Sequence, residues 1–240
     1  MKELKSRSKL CLIGEGESSI AVFIYVVINA LKLLAKGISR SSSGDLFQAR
    51  GLKVVGGFWG RALSIVLGRW KLFAVLCWLF FGSVLAGALL PKEASFFVEE
   101  PAFVVGDAWL AVLRIFFSNL VLSAFLMVTA SGLVFFAFSP AILVIRAIVW
   151  GEMLSRSTAG AFLAAVPTLM FEGAAYVLAS VAGIVLGLSW LKPRWVCAEE
   201  GLGRLEALKK AFRECLWLYV WVALLLAVAA VVEVATLVAA

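Results

Sequence analysis

From residue 72 onwards, long apolar stretches alternate with short polar ones. A helix needs about 20 mostly apolar residues to cross the hydrocarbon core. Leu72–Leu90 and Leu216–Ala240 meet this requirement, and Ala159–Leu191 exceeds it. Leu110–Phe138 is also long, which predicts tilt or an interfacial start. Pro140–Gly151 covers only half a span, which predicts a short or broken helix packed on protein, because lipid does not satisfy free backbone groups. The pattern predicts an all-α polytopic membrane protein with about five transmembrane segments.

The first 71 residues differ from residues 72–240 and predict a basic cytoplasmic or interfacial helical region. Ile20–Ala35 nearly spans but is short and ends in basic residues, so an interfacial helix is favoured over a sixth span. Ser39–Gly44 has the composition of a flexible linker. Lys53–Lys71 and Gly203–Cys215 have the 3.6-residue period of amphipathic helices, which form either a collar on the membrane surface, the favoured interpretation, or a docking site for a cytoplasmic partner. Their apolar faces are Val55, Trp59, Ala62 and Val66 in the first and Leu205, Leu208, Phe212 and Cys215 in the second.

Composition excludes whole classes of protein. The chain is 63% hydrophobic and only 15% charged, whereas soluble domains are about half apolar and a quarter charged. Such a chain is also too apolar to remain disordered. It has no histidine, and its four cysteines lack CxxC spacing, so we expect a non-enzymatic protein with no catalytic residues, cofactor or metal. The net charge of +7 favours anionic lipid over nucleic acid as its partner.

Charge asymmetry predicts the orientation in the cell membrane. Residues 1–71 hold twelve Lys and Arg against four Asp and Glu, and residues 191–215 hold six Lys and Arg. The loop 91–109 holds one Lys and four acids. Because cytoplasmic loops are enriched in Lys and Arg, the N-terminus is predicted to be cytoplasmic and the loop 91–109 to lie outside. Five spans then place the C-terminus outside.

Three polar side chains fall inside the predicted spans: Asn119, Arg146 and Glu172. A lone carboxylate in hydrocarbon costs several kcal/mol, and a lone Arg is equally unfavourable. We therefore expect Arg146 and Glu172 to lie near each other, with Asn119 as the third member of an intramembrane polar cluster. Pro167 should break or kink its helix just before Glu172, as in the cavity-lining helices of transporters. Glu152 and Arg156 are expected to form a solvated pair in a loop.

Counting in fours extends the cluster along two helices. The supporting polar stripe is Asn119, Ser123, Met127 and Ser131 on the second span, and Glu172, Tyr176 and Ser180 on the fourth. An adjacent ladder of small residues would let another helix approach closely, and it comprises Ala175, Ala179, Gly183 and Gly187. Such polar residues can simply lock helices together, the interpretation favoured for Asn119, or can mark a pathway, the one favoured for Glu172.

Several of these residues, in their order and spacing, resemble one family. They are Asn119 early in the second span, Ser131-Gly132-Leu133, Pro140, the segment ending at Gly151, Pro167 followed five residues later by Glu172, and Gly183 and Gly187. Together they make residues 116–193 similar to the membrane core of the stage II sporulation protein M family. The chain departs from the family where Arg146-Ala147 replaces Asn-Gly and Thr168-Leu169 replaces His-Gly. A proton-relay role for that His does not carry over, and Arg146 is instead a candidate counter-ion for Glu172.

The resemblance implies a membrane scaffold, since the sporulation member belongs to a complex with peptidoglycan-degrading partners and is not itself the hydrolase. Sporulation itself is not implied here. The leading hypothesis is a scaffold or anchoring subunit, in the lipid bilayer, with membrane or cytoplasmic protein partners or further copies of itself. The alternative is a permease-like transport subunit with a polar path around Glu172 and an ATPase docking on residues 198–215. The chain lacks a Walker-type loop, so ATP hydrolysis would require another chain.

Overall fold

A computed structural model describes residues 65, 68–90, 107–193 and 203–239 of the chain. Within these ranges the protein is helical, with no strand, and five helices are long and apolar enough to cross a membrane. The predicted all-α polytopic fold is confirmed. Ile20–Ala35, Ser39–Gly44 and most of Lys53–Lys71 lie outside the described residues. The helices are α1 (Trp70–Ala88), α2 (Ala108–Val134), α3 (Phe138–Arg156), α4 (Ala159–Leu191) and α5 (Arg204–Ala239).

The third segment is a full span, so the expectation of a short or broken helix is wrong. α3 has 19 residues, and Pro140 lies in its first turn, where a missing amide hydrogen breaks no helical bond. The predicted solvated loop pair is also wrong, because Glu152 and Arg156 lie in the last turns of α3 and Glu152 is only 5% exposed. The Arg156 Nη2 to Glu152 Oε1 distance is 2.6 Å. Because Glu152 and Arg156 pair with each other, the helix α3 can continue past the point where these charges end its apolar stretch in the sequence.

The backbone of α4 stays helical through Pro167, so of the predicted break or kink, the break is wrong. Proline removes the hydrogen bond to the carbonyl four residues earlier. The surroundings of α4 offset that loss, because it is the most deeply buried of the five helices. Its first turn is also capped, since the Thr158 hydroxyl accepts a hydrogen bond from the amide of Ala161 at 3.4 Å.

The middle of α2, Ser118–Ala130, is π-helical, and this changes which residues share a face. A π-helix bonds five residues apart, so counting in fours leaves its face. Met127 is 56% exposed, and the Ser131 hydroxyl donates to the carbonyl of Val128 in its own helix at 2.9 Å. The predicted stripe is therefore wrong at Met127 and Ser131. The buried residues are Ser123 and Ala124 and, five residues later, Val128 and Thr129.

The predicted cytoplasmic helix Gly203–Cys215 and the last span form one continuous helix. α5 has 36 residues and a length of about 54 Å, well beyond the hydrocarbon thickness. The predicted apolar face is wrong in part, because Leu205 and Phe212 are exposed. Cys215 is buried as predicted, and Ala207 and Ala211 are buried with it, since α5 packs along α4.

Small residues let the helices approach closely at two crossings. All four members of the predicted ladder on α4 are buried. A Cβ on Gly132, near the end of α2, would lie 2.6 Å from the carbonyl carbon of Gly183. Between α1 and α3, a Cβ on Gly151 would lie 2.7 Å from the backbone nitrogen of Ala88. At both crossings the backbones of the two helices are in direct contact, which is the packing that small residues permit in membrane helices.

Candidate functional site

Three helices bring the sequence-predicted polar residues together. Arg146 lies midway along α3, Asn119 lies near the start of the π-helical stretch of α2, and Glu172 lies in α4. Tyr176 is one turn after Glu172 on the same face of α4. We call Asn119, Arg146, Glu172 and Tyr176 the polar cluster. Because it lies near the middle of each of these helices, it falls near mid-depth in the membrane.

Arg146 is the centre of the polar cluster. Its Nη2 donates to Glu172 Oε1 at 3.0 Å, to the Tyr176 hydroxyl at 2.5 Å and, more weakly, to Asn119 Oδ1 at 3.4 Å. The Tyr176 hydroxyl in turn donates to Glu172 Oε1 at 2.5 Å. The guanidinium carbon also lies 4.3 Å from the centroid of the Tyr176 ring, within cation–π range. Ser123 lies in the same π-helical stretch as Asn119 and is buried.

Burial in the polar cluster is uneven. The Glu172 side chain is 2% exposed and Tyr176 is fully buried, whereas Arg146 keeps 25% of its side chain exposed. The buried Nε of Arg146 has no hydrogen-bond partner among the described residues. The carboxylate and the guanidinium neutralise each other, which makes the two charges tolerable in hydrocarbon. The described residues contain no group of three or more His, Cys, Asp or Glu that could hold a metal ion.

Ser180 makes a separate polar contact and does not join the polar cluster. The Ser139 hydroxyl, at the start of α3, donates to the carbonyl and the hydroxyl of Ser180 at 3.3 and 3.2 Å. Both serines are fully buried. This contact lies two turns further along α4 than Glu172, beside the close approach at Gly183, whose added Cβ would meet the Ser139 hydroxyl at 2.6 Å.

Sequence reasoning missed a second buried network, which joins α2, α4 and α5. The Thr129 hydroxyl donates to the carbonyl of Ala179 at 2.9 Å, and the Tyr219 hydroxyl donates to the carbonyl of Ala124 at 2.9 Å. The two hydroxyl oxygens lie 2.7 Å apart. Tyrosine is usually read as an interfacial anchor, which hides Tyr219 as a contact inside the bundle. Tyr219 lies near the middle of α5, whereas the sequence placed it only three residues after Leu216, the predicted start of the last span.

Tyr219→Phe should lower the free energy of unfolding by about 1 kcal/mol, because the carbonyl of Ala124 and the hydroxyl of Thr129 both lose a partner. Unfolding in mixed detergent and SDS micelles would measure the loss. Thr129→Val should add little on top of Tyr219→Phe, since both act on one network. Thr236→Val is the control, because its hydroxyl bonds only to its own helix. Full additivity of the two changes would contradict the network.

A scan against protein-family models matches residues 72–236 to the family described as stage II sporulation protein M. Comparisons with curated proteins and with solved structures gave no match. The matched range is more than half of the chain, begins in α1, ends in α5 and contains the whole polar cluster. It thus extends well beyond the residues 116–193 that carry the sequence motifs. Together with the five membrane-length helices, the match establishes that the chain belongs to the stage II sporulation protein M family of membrane proteins.

Proposed function

We propose that the protein is a non-enzymatic membrane scaffold, a subunit that anchors or organises other proteins of a membrane complex. The observation that supports this proposal most directly is the burial and pairing of Glu172. Its side chain is 2% exposed, and its Oε1 already accepts hydrogen bonds from Arg146 at 3.0 Å and Tyr176 at 2.5 Å. A carboxylate that is paired and shielded from solvent is suited to holding helices together.

The polar cluster supports this role by its position. It ties the middle of α2, α3 and α4 to one another at a depth where water does not compete for hydrogen bonds. The Thr129–Tyr219 network adds α5 to the same bundle. A rigid bundle that presents constant outer faces is what an anchoring subunit requires. Membrane proteins, cytoplasmic proteins or further copies of the chain are the proposed partners.

A double variant that lacks the charges of Arg146 and Glu172 tests the scaffold proposal. Arg146→Gln combined with Glu172→Gln removes both charges and leaves at each position an amide that can still form hydrogen bonds. The full-length tagged chain would be expressed in its source cells, extracted in mild detergent and separated by native electrophoresis. The wild type should run in a complex with a stoichiometric partner, and the double variant should keep that complex. A double variant that stays folded yet loses the complex would contradict the proposal, as would a wild type that always runs alone.

The alternative is a permease-like transport subunit, and one observation favours it. Arg146 keeps 25% of its side chain exposed at mid-depth, and Thr168 Oγ1 and Glu152 Oε2 are buried with no hydrogen-bond partner among the described residues. Unpartnered buried oxygens are places for internal water. Under this alternative the double variant assembles normally but loses solute flux in reconstituted liposomes, whereas the scaffold proposal expects no change in flux.

A further inference from the structure

The end of α5 that precedes the membrane carries an exposed face with both basic and apolar side chains. Four exposed residues lie within about a third of a turn of one another around the helix axis: Lys209, Phe212, Arg213 and Leu216. We call them the basic stripe. The opposite side of this segment is buried against the bundle through Ala207, Ala211 and Cys215. The basic stripe therefore points away from the protein.

An ion pair places the basic stripe at the edge of the membrane. Arg69, directly before α1, bonds to Glu214 of α5, with Nη2 and Oε2 2.6 Å apart. The apolar part of α1 begins at Leu72, so Glu214 lies level with the start of a span. Phe212 and Arg213 are next to Glu214, and Lys209 is about 8 Å further out along the axis. The headgroup layer is about 5–8 Å thick on each side, so the basic stripe lies within reach of it.

Two further observations favour lipid as the neighbour. The exposed face of α5 continues along its membrane-length part through Leu224, Val228 and Val231, apolar side chains that suit contact with acyl chains. Lys71 is exposed two residues after Arg69 and adds a third cation near the same level. Cations beside exposed apolar side chains at this depth match a phosphate headgroup above acyl chains.

We propose that the basic stripe binds the headgroup of an anionic phospholipid, with Lys209 and Arg213 on the phosphate and Phe212 and Leu216 among the upper acyl carbons. Lys209 and Arg213 are four residues apart, so their side chains leave the same side of the helix and can hold one phosphate between them. The proposal does not depend on the scaffold role, because it concerns only the contact between α5 and the bilayer.

Lipid enrichment tests the proposal. The full-length protein would be reconstituted in mixed phosphatidylglycerol and phosphatidylcholine vesicles, excised in polymer-bounded discs, and its co-isolated lipids measured. Wild type should retain an excess of phosphatidylglycerol, and Lys209→Gln with Arg213→Gln should lower that excess about fivefold or more at low salt. Lys192→Gln with Arg204→Gln removes the same charge from exposed residues outside the basic stripe and should leave it unchanged. Equal lipid ratios for wild type and the Lys209 and Arg213 variant would overturn the proposal.

A photocrosslink at Phe212 identifies the occupant directly. Replacing Phe212 with benzoylphenylalanine keeps an aromatic ring in place and reacts with whatever lies beside it. In the same vesicles, irradiation should yield the protein plus one phosphatidylglycerol by intact mass, and 1 M salt should reduce the yield because it screens the cations. Adducts mainly to a second copy of the chain or to another protein, or a yield equal for both lipids, would overturn the proposal.

Discussion

Arg146→Gln should destabilise the folded protein by about 3–5 kcal/mol, the usual cost of removing one partner of a buried ion pair. The loss is large because Glu172 is 2% exposed, so its carboxyl group would be left in a low-dielectric setting without the partner that Arg146 provides. Glu172→Gln should cost a similar amount by leaving Arg146 unpaired. Unfolding in mixed micelles of detergent and SDS would measure both changes.

The double variant Arg146→Gln with Glu172→Gln should recover most of that loss. Two amides can hydrogen-bond to each other and to Tyr176 without a buried charge, and neutral replacements of buried ion pairs often cost little. The double-mutant cycle should therefore give a coupling energy of at least about 4 kcal/mol, because the two single losses together far exceed the loss in the double variant. Lys209→Gln removes an exposed charge and should change stability by less than about 0.5 kcal/mol in detergent. Simple addition of the two single losses would contradict a direct pair.

Gly132→Ala should destabilise the bundle by about 2–3 kcal/mol, because the added carbon would lie 2.6 Å from the carbonyl carbon of Gly183. Backbone cannot turn aside as a flexible side chain can, so α2 and α4 must separate along the crossing. Such separation would also loosen the nearby bond from Thr129 to the carbonyl of Ala179. Thermal unfolding of the purified protein would report the change.

Gly82→Ala is the matched control for Gly132→Ala. Gly82 also lies inside a membrane helix, α1, but a Cβ there would meet no atom within 4 Å. Alanine has the higher helix propensity, so this substitution should leave stability unchanged or raise it by up to about 1 kcal/mol. If both substitutions had the same effect, the close approach of α2 and α4 would be ruled out as a source of stability.

Much of the polar cluster followed from a cost argument that needs no coordinates. Arg146 and Glu172 are each too unfavourable alone in hydrocarbon, so their proximity could be inferred from two separate segments. Asn119 was inferred in the same way, and the structure shows it 3.4 Å from Arg146. Tyr176 was placed on the stripe by its spacing from Glu172, but its bonds to both charged groups depend on the rotation of α3 relative to α4.

Local signals failed where neighbouring helices changed the balance. Pro167 reads as a helix break, yet burial of α4 on several sides keeps the backbone helical. Met127 and Ser131 continue a stripe counted on an α-helix, yet the middle of α2 is π-helical, with bonds five residues apart, and its buried residues follow that spacing. Arg156 suggests a loop because it is charged, yet its pairing with Glu152 lets α3 continue. In each case contacts made after folding outweighed the preference of the single residue.

Hydropathy alone determined that this is a helical membrane protein with about five transmembrane segments, since the cost of exposing backbone and charge to lipid depends mainly on composition and length. The same cost required Arg146 and Glu172 to meet. Only the tertiary structure decided that α2 is π-helical beside them, that α5 extends unbroken past the membrane, and that Gly132 lies against Gly183. These features depend on how helix surfaces fit together, and neither hydropathy nor the spacing of residues within one helix contains that information.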